Sequence, residues 1–600
     1  MRMKLFCMSS PSILLRSSAL ILVAALSISV VSHAQETAVP AEVADNEPVL
    51  TVKELIPQLG EENLPKQALS ADLLSQLTLM FLAAYENEWS TALAQGQAAA
   101  SATDDPRVAR IATILAVQNN NFAEGAKLAE RWLKLEPQAQ DGLDLLIISL
   151  VSQGQVDAAL EHLDGADKLD ATAVDASVRW LAGLLIRQPN GAAAVELMDA
   201  IIKRHQESAQ ALLSSAYVAD TFAVHDTAQL WLTQALLLQP GWEPAAQIKV
   251  GILERQNKIA ERSQFVSEFV QSYPRSTQMR VIYAVDLARQ EQFDLALEQL
   301  EKVLKVDARN EQALTYAAMV SQQIKETKAA KKYYRRLLEV VPDNETAAWQ
   351  LAELAIEEGD YRSAEQYFEK VVSDDNYLAA QLRVATTRVH TESVDAAIDV
   401  LRNLEPATEQ EYVDVALTRH YILLQAHRED EALGYINETL LYVPEDAELL
   451  YARAGAAAEI GEIEIAEEDY RLLLAMSPDD PDILNALGYT LADRTDRFAE
   501  ALELIERALD LAPDSANIID SFGWVKYKLG DLEQARRSLE KAYSMSKQPE
   551  IGIHLAEVLW KQSKNQAAVE LFAEIATEHS DHPLLLSTLS RLGVQLPGQP

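Results

Sequence analysis

The feature that most constrains this chain is a 34-residue period marked by prolines. Pro240 and Pro274 are one period apart, as are Pro444 and Pro478, and Pro137, Pro342 and Pro513 fall within a residue of the same grid. Each closes an amphipathic run. Grid points without proline, near residues 171, 205, 308, 376, 410 and 547, carry polar breaks such as LDATA, DARNE and SDDNY. A fixed period in this range means stacked supersecondary units, none of which can bury its apolar face alone. Such a stack is one continuous core in which each unit touches only its neighbours. It predicts a surface for holding other molecules rather than a vessel for chemistry.

Each unit reads as helix, short turn, helix, loop. In the stretch from Asp479 to Pro513, the first helix carries Leu487, Gly488 and Leu491, and the second carries Ala501, Ile505, Ala508 and Leu511. The spacing by three or four is that of a helical stripe. The next unit repeats it with Phe522, Gly523, Gly530, Ala535, Leu539 and Ala542. Small residues at the eighth position of the first helix and in the second helix let two backbones approach, while larger ones fill the grooves. Gly154, Gly359, Gly461 and Gly530 fall at the turn between helices, where a left-handed backbone is expected. The prolines end the second helix, which they cannot continue.

These residues resemble the tetratricopeptide repeat family. The resemblance covers residues 103–582, about fourteen units, and implies an all-α solenoid wound as a right-handed superhelix. Units near residues 172–206, 241–274 and 377–410 depart from the pattern; Arg262, for instance, stands where a small residue is expected. Residues 67–102 read as capping helices and residues 583–600 as a C-terminal cap and tail. Only 20 Gly and 21 Pro, among Ala, Leu and Glu-rich runs, agree with an all-helical chain.

The net charge is −39. A surface this acidic repels phosphate backbones, so nucleic acid is not an expected partner. The charge reads either as a solubilising coat or as an acidic concave face for a basic partner.

Arg2, Lys4 and Arg16 precede the apolar run Ala19–Val31, which is followed by Ser32, His33 and Ala34. This predicts a secretory signal peptide over residues 1–34, cut after Ala34, and hence a periplasmic protein with no integral membrane span after cleavage. An uncleaved anchor is the alternative, although the run is short for a spanning helix. The only cysteine, Cys7, precedes the apolar run, so neither a lipid anchor nor a disulfide is expected. Residues 35–66 read as an acidic disordered linker. Within it LTVKELIPQL, from Leu50 to Leu59, is either filler or a short amphipathic docking turn.

No glycine-rich phosphate loop, paired cysteines or nucleophile constellation stands out, so the chain reads as a non-enzyme without metal or cofactor. His420 and His427 are seven apart on a helix, and His579 and His582 stand at a helix end; surface or packing roles outweigh a metal site for both pairs. In this repeat type the first helices line the concave face. By register Asn485, Tyr489, Asn517, Trp524, Tyr527, His554 and Val558 point there from the last three units, and Trp349, Glu353 and Ile356 from a middle one. Aromatics with amides suit an extended peptide or a partner helix. The competing reading is that such rings pack between units.

Leu484–Tyr543 and His554–Trp560, with LLSQLTLMFLAAYENEWSTAL upstream, also resemble envelope tetratricopeptide adaptors of pseudomonads and their relatives. The best understood type is an outer-membrane lipoprotein that activates a periplasmic carboxyl-terminal processing protease and presents cell-wall hydrolases to it. The resemblance implies protein partners of that kind: a periplasmic protease and its client proteins. The missing lipid-attachment motif departs from the type. An assembly scaffold for an envelope secretion, pilus or polysaccharide-export machine is the alternative.

Overall fold

The computed structural model describes residues 70–596, apart from residues 87, 167 and 170–172. The expected signal peptide, the acidic linker and residues 597–600 lie outside them. The described residues form 31 helices and no strand. Two helices, Ala71–Tyr85 and Trp89–Ala102, precede fourteen helix pairs between Pro106 and Glu578, and Pro583–Leu592 follows. The fold is the all-α repeat solenoid that the period predicts.

The chain divides into two compact units, with the division at Tyr333/Tyr334. In the first, one buried cluster runs from Ala126 through Leu181 and Trp231 to Ile252. In the second, another runs from Val413 through Tyr470 and Ile505 to Val525. Both are built mainly from leucine, isoleucine, valine and alanine contributed by successive helices, as nearest-neighbour stacking requires.

The turns show why the period holds. In most pairs the residue at the turn after the first helix takes a left-handed conformation, and the next N–H reaches back five residues. Gln155 thus donates to the Leu150 carbonyl at 2.9 Å, Asp360 to Ala355 at 2.8 Å and Asp531 to Lys526 at 2.9 Å. This C-cap closes the helix and aims the chain into the second one. Gly154, Gly359, Gly461 and Gly530 have φ of 74°, 75°, 90° and 87°. Elsewhere Ala223, Glu291, Lys325, His427 and Ser563 adopt the same sign of φ despite their side chains. The turn geometry is thus kept at these positions without glycine, whereas the turns after Leu185, Thr391 and Arg494 close differently.

Close helix approach is confirmed at the small residues. A Cβ on Gly488 would stand 2.6 Å from Ile505 Cγ1 and 3.1 Å from the Ala501 carbonyl oxygen. One on Gly523 would stand 2.7 Å from Leu539 Cγ and 3.3 Å from the Ala535 carbonyl oxygen.

Of the three departing units, two keep ordinary helices. The 241–274 unit folds as Glu243–Arg255 and Ile259–Ser272. Its misplaced Arg262 is 1% exposed. Its guanidinium pairs with the buried Asp286 carboxylate and lies 3.6 Å from Glu254, which also receives Arg289 at 3.0 Å. Burial pushes the Arg262 pKa down to about 10. The real break in period lies further on. First helices start 33 to 35 residues apart, except from 345 to 374 and from 409 to 447. Helices Asp374–Thr391 and Glu409–Gln425 have 18 and 17 residues against the usual 13 or 14.

Candidate partner-binding surface

The first helices of the last units, Pro481–Arg494, Ala516–Lys528, Pro549–Lys561 and Pro583–Leu592, stack side by side. A ladder of polar contacts runs along them from unit to unit. Trp524 Nε1 donates to Asp493 Oδ1 at 3.1 Å, and Lys528 Nζ lies 3.4 Å from the same oxygen. The Trp524 ring stacks on His554, centroids 4.1 Å apart, and His554 Nδ1 is 3.0 Å from the Asp520 carboxylate. Tyr527 donates to Glu557 Oε1 at 2.9 Å, and the Arg591 guanidinium donates to both oxygens of Glu557 at 2.8 and 2.6 Å.

Burial sets the electrostatics of this ladder. It holds the Tyr489 hydroxyl well above the ordinary phenol range, and the Asp493 and Asp520 carboxylates add to the effect. Tyr527 is pushed up to about 12, by burial first and then by the Glu557 carboxylate. Burial works to raise the Asp493 pKa, but Lys528, the Trp524 N–H and Arg494 outweigh it and the net direction is down. Asp493 is therefore an anion fixed beside an aromatic ring and a lysine.

The register places the six expected contact residues unequally. Trp524 is 5% exposed and wedged between neighbouring units; Asn485 is also buried, and its Oδ1 has no hydrogen-bond partner. Tyr489, Tyr527 and Trp349 are half-buried, and Asn517 is exposed. The Trp349 ring meets Phe368 edge-on at 5.1 Å. Glu353 is engaged by Arg383 at 2.5 Å, and Val558 and His554 are buried. A partner on this wall would meet Asn517, the outer edges of Tyr489, Tyr527 and Trp349, and the ladder's charged ends. Trp524 packs against His554 and Asp493 of the neighbouring units, so its removal would disturb the stack as well as any binding.

Sequence reasoning missed the ladder itself. Its signal was present: Asp520 and His554 are 34 apart, and so are Glu557 and Arg591. Groups of opposite or complementary charge separated by one period should meet across adjacent units. His420 and His427 do not come together as a pair. His420 is buried, whereas His427 sits in the left-handed turn with Nδ1 3.6 Å from Glu429. Among the described residues, no helix is long and apolar enough to cross a membrane.

Comparison with known proteins identifies the repeat. One tetratricopeptide repeat family model matches residues 325–379, 421–481 and 521–583, and a second such model matches residues 479–548. These segments are tetratricopeptide repeats, and the fold is an all-α tetratricopeptide-repeat solenoid. A TPR repeat-containing protein of Pseudomonas aeruginosa is 35% identical over 213 residues, 36% of this chain and 36% of the relative. The chain therefore spans about a third of that relative's length. The type IV pilus assembly protein PilF of the same organism is 26% identical over 175 residues, 28% of this chain and 69% of PilF. Among solved structures, a thermophilic TPR protein of Thermus thermophilus aligns with TM-score 0.27 and 24% identity, covering 31% of this chain and 97% of that one. The APC/C hetero-tetramer Cut9–Hcn1 aligns with TM-score 0.33 and 14% identity, covering 87% and 96%.

Proposed function

We propose that this chain is a periplasmic adaptor that holds client proteins, among them cell-wall hydrolases, beside a carboxyl-terminal processing protease. The observation that carries the protein-binding part is the array itself. Tetratricopeptide repeats mediate protein–protein interactions, and here the helix pairs fill almost all of the described chain. An array of this length can carry two partners at once and raise their effective concentration, with no catalysis of its own. The protease-adaptor part is supported by the sequence resemblance of both ends of the array to envelope adaptors. Periplasmic location is supported by the charged start, apolar run and Ser32–Ala34 site.

The similarity to PilF favours a second reading, an assembly scaffold for a pilus or related envelope machine. One experiment separates the two. A photo-crosslinking residue replaces the exposed Asn517, and adducts formed in the native periplasm are identified by mass spectrometry. Adducts to a protease and cell-wall hydrolases support the adaptor; adducts to pilus or secretion subunits favour the scaffold and overturn it. The same spectra report the mature N-terminus. Gln35 supports export with cleavage, and an intact Met1 on a cytoplasmic protein contradicts it.

A further inference from the structure

The two overlong helices carry extra turns at a definite end. Glu409–Gln425 ends like its regular counterparts, with the left-handed turn residue His427 two positions on, so its additional residues are the N-terminal Glu409–Tyr412. In Asp374–Thr391, counting back from the next helix at Val394, the added turn is likewise the first, Asp374–Tyr377. Each added turn presents one tyrosine, 45% exposed at Tyr377 and 48% at Tyr412. In the following unit the first helix is of ordinary length. There the preceding loop supplies Leu441 and Tyr442, 82% and 80% exposed, and the Tyr442 ring lies near-parallel to Tyr412 with centroids 6.5 Å apart. Insertions that break a repeat's period map to one face of a solenoid, often the binding face. Exposed stacked aromatics beside an exposed leucine are what a binding anchor requires and what a merely solvated edge avoids.

The chain segments that carry these four residues bear charge of one sign. No Lys or Arg occurs in residues 371–382, 403–418 or 429–452. Asp374, Asp375, Glu409 and Glu445 are exposed there. Half-buried Asp414 lies among the same carboxylates. Its carboxyl is raised chiefly by burial and further by the Glu411 and Asp446 charges, the latter from the next unit. The turn before Asp374 is held in place, because Glu345 accepts hydrogen bonds from the Val372 and Ser373 amides at 2.8 and 2.6 Å.

We propose that the edge formed by Tyr377, Tyr412, Leu441 and Tyr442 is a second protein-docking surface, distinct from the first-helix wall, that takes a partner segment in which lysines or arginines alternate with apolar side chains. Charge complementarity selects this occupant. A second copy of this chain would bring the same acidic edge, and a neutral glycan would leave the carboxylates unmatched. The surface extends the reading of the chain as a protein-binding array and fails separately from it.

The test uses the full mature chain and a fluorescent 12-residue peptide alternating lysine and leucine, with an oligolysine of equal charge as control. Anisotropy should show the alternating peptide binding at least tenfold more tightly than oligolysine. Tyr412→Ser with Tyr442→Ser should remove that margin and leave oligolysine binding unchanged. In the unmutated chain, the peptide should slow amide exchange at residues 409–412 and 441–446, a readout that needs no variant to fold. A margin that survives in the variant overturns the proposal, as does an absence of protection. Protection by chitohexaose instead of peptide would assign the edge to glycan. Self-association in sedimentation that the variant abolishes would assign it to a second copy. Either result overturns the proposal while leaving the crosslinks from Asn517 to test the adaptor reading.

Discussion

At the scale of single residues, two positions show how tightly the repeat is specified. Gly488 lies where a methyl group has no room, with Ile505 and the Ala501 carbonyl in the way. Gly488→Ala would normally favour a helix by about 1 kcal/mol. Here overpacking should dominate, with a net destabilisation of about 1–3 kcal/mol by denaturant unfolding of the C-terminal units. His420 is the second case. It is buried with Nδ1 unpartnered, and burial pushes its pKa down to about 4 from the ordinary 6.5. The unfolded chain therefore binds a proton between those values and the native chain does not. The stability that the neutral ring contributes is complete above pH 6.5 and is lost as pH falls toward 4. Between pH 7 and pH 5 the loss should be about 2 kcal/mol, at about 1.4 kcal/mol per unit. His420→Leu should flatten that part of the pH profile, measured by urea unfolding at both pH values.

At the scale of elements, the helix pair containing Arg262 shows how a departure from the motif is accommodated. A small residue normally lets the two helices approach; here a guanidinium fills the space and Asp286 neutralises it. Breaking such a pair costs more than never having it, because one charge is left buried. Arg262→Ala should destabilise its unit by about 3–5 kcal/mol. Replacing Arg262 and Asp286 together by leucine should recover most of the loss. Hydrogen exchange in residues 243–306 reads both effects. A similar loss in single and double variants would show that shape, not charge, decides this site.

At the scale of the whole molecule, a stack with only neighbour contacts predicts that damage stays local. Exchange in residues 447–545 should be unchanged in Arg262→Ala, while residues 243–306 lose protection. A uniform loss of protection across the chain would show longer-range cooperativity than neighbour contacts supply. Circular dichroism of the purified chain should report helix with no appreciable strand.

Period, helix pairs and turn glycines were legible in the sequence because each is a local property. Helical stripes, proline stops and left-handed glycines depend on residues a few positions apart, and their recurrence reveals the stack. The sequence also placed its candidate partner wall on the first helices, and register along a repeat is preserved in the fold. It could not say which side chains of that wall remain open. Trp524 and Asn517 share a helix face in sequence, yet one is buried by His554 and Asp493 of neighbouring units and the other is exposed. That difference arises from how closely adjacent units stack. The buried answer to Arg262, the ladder from Asp493 to Arg591 and the stacking of Tyr412 on Tyr442 have the same origin. Each joins residues that meet only when neighbouring helices pack, so only the tertiary structure decided them.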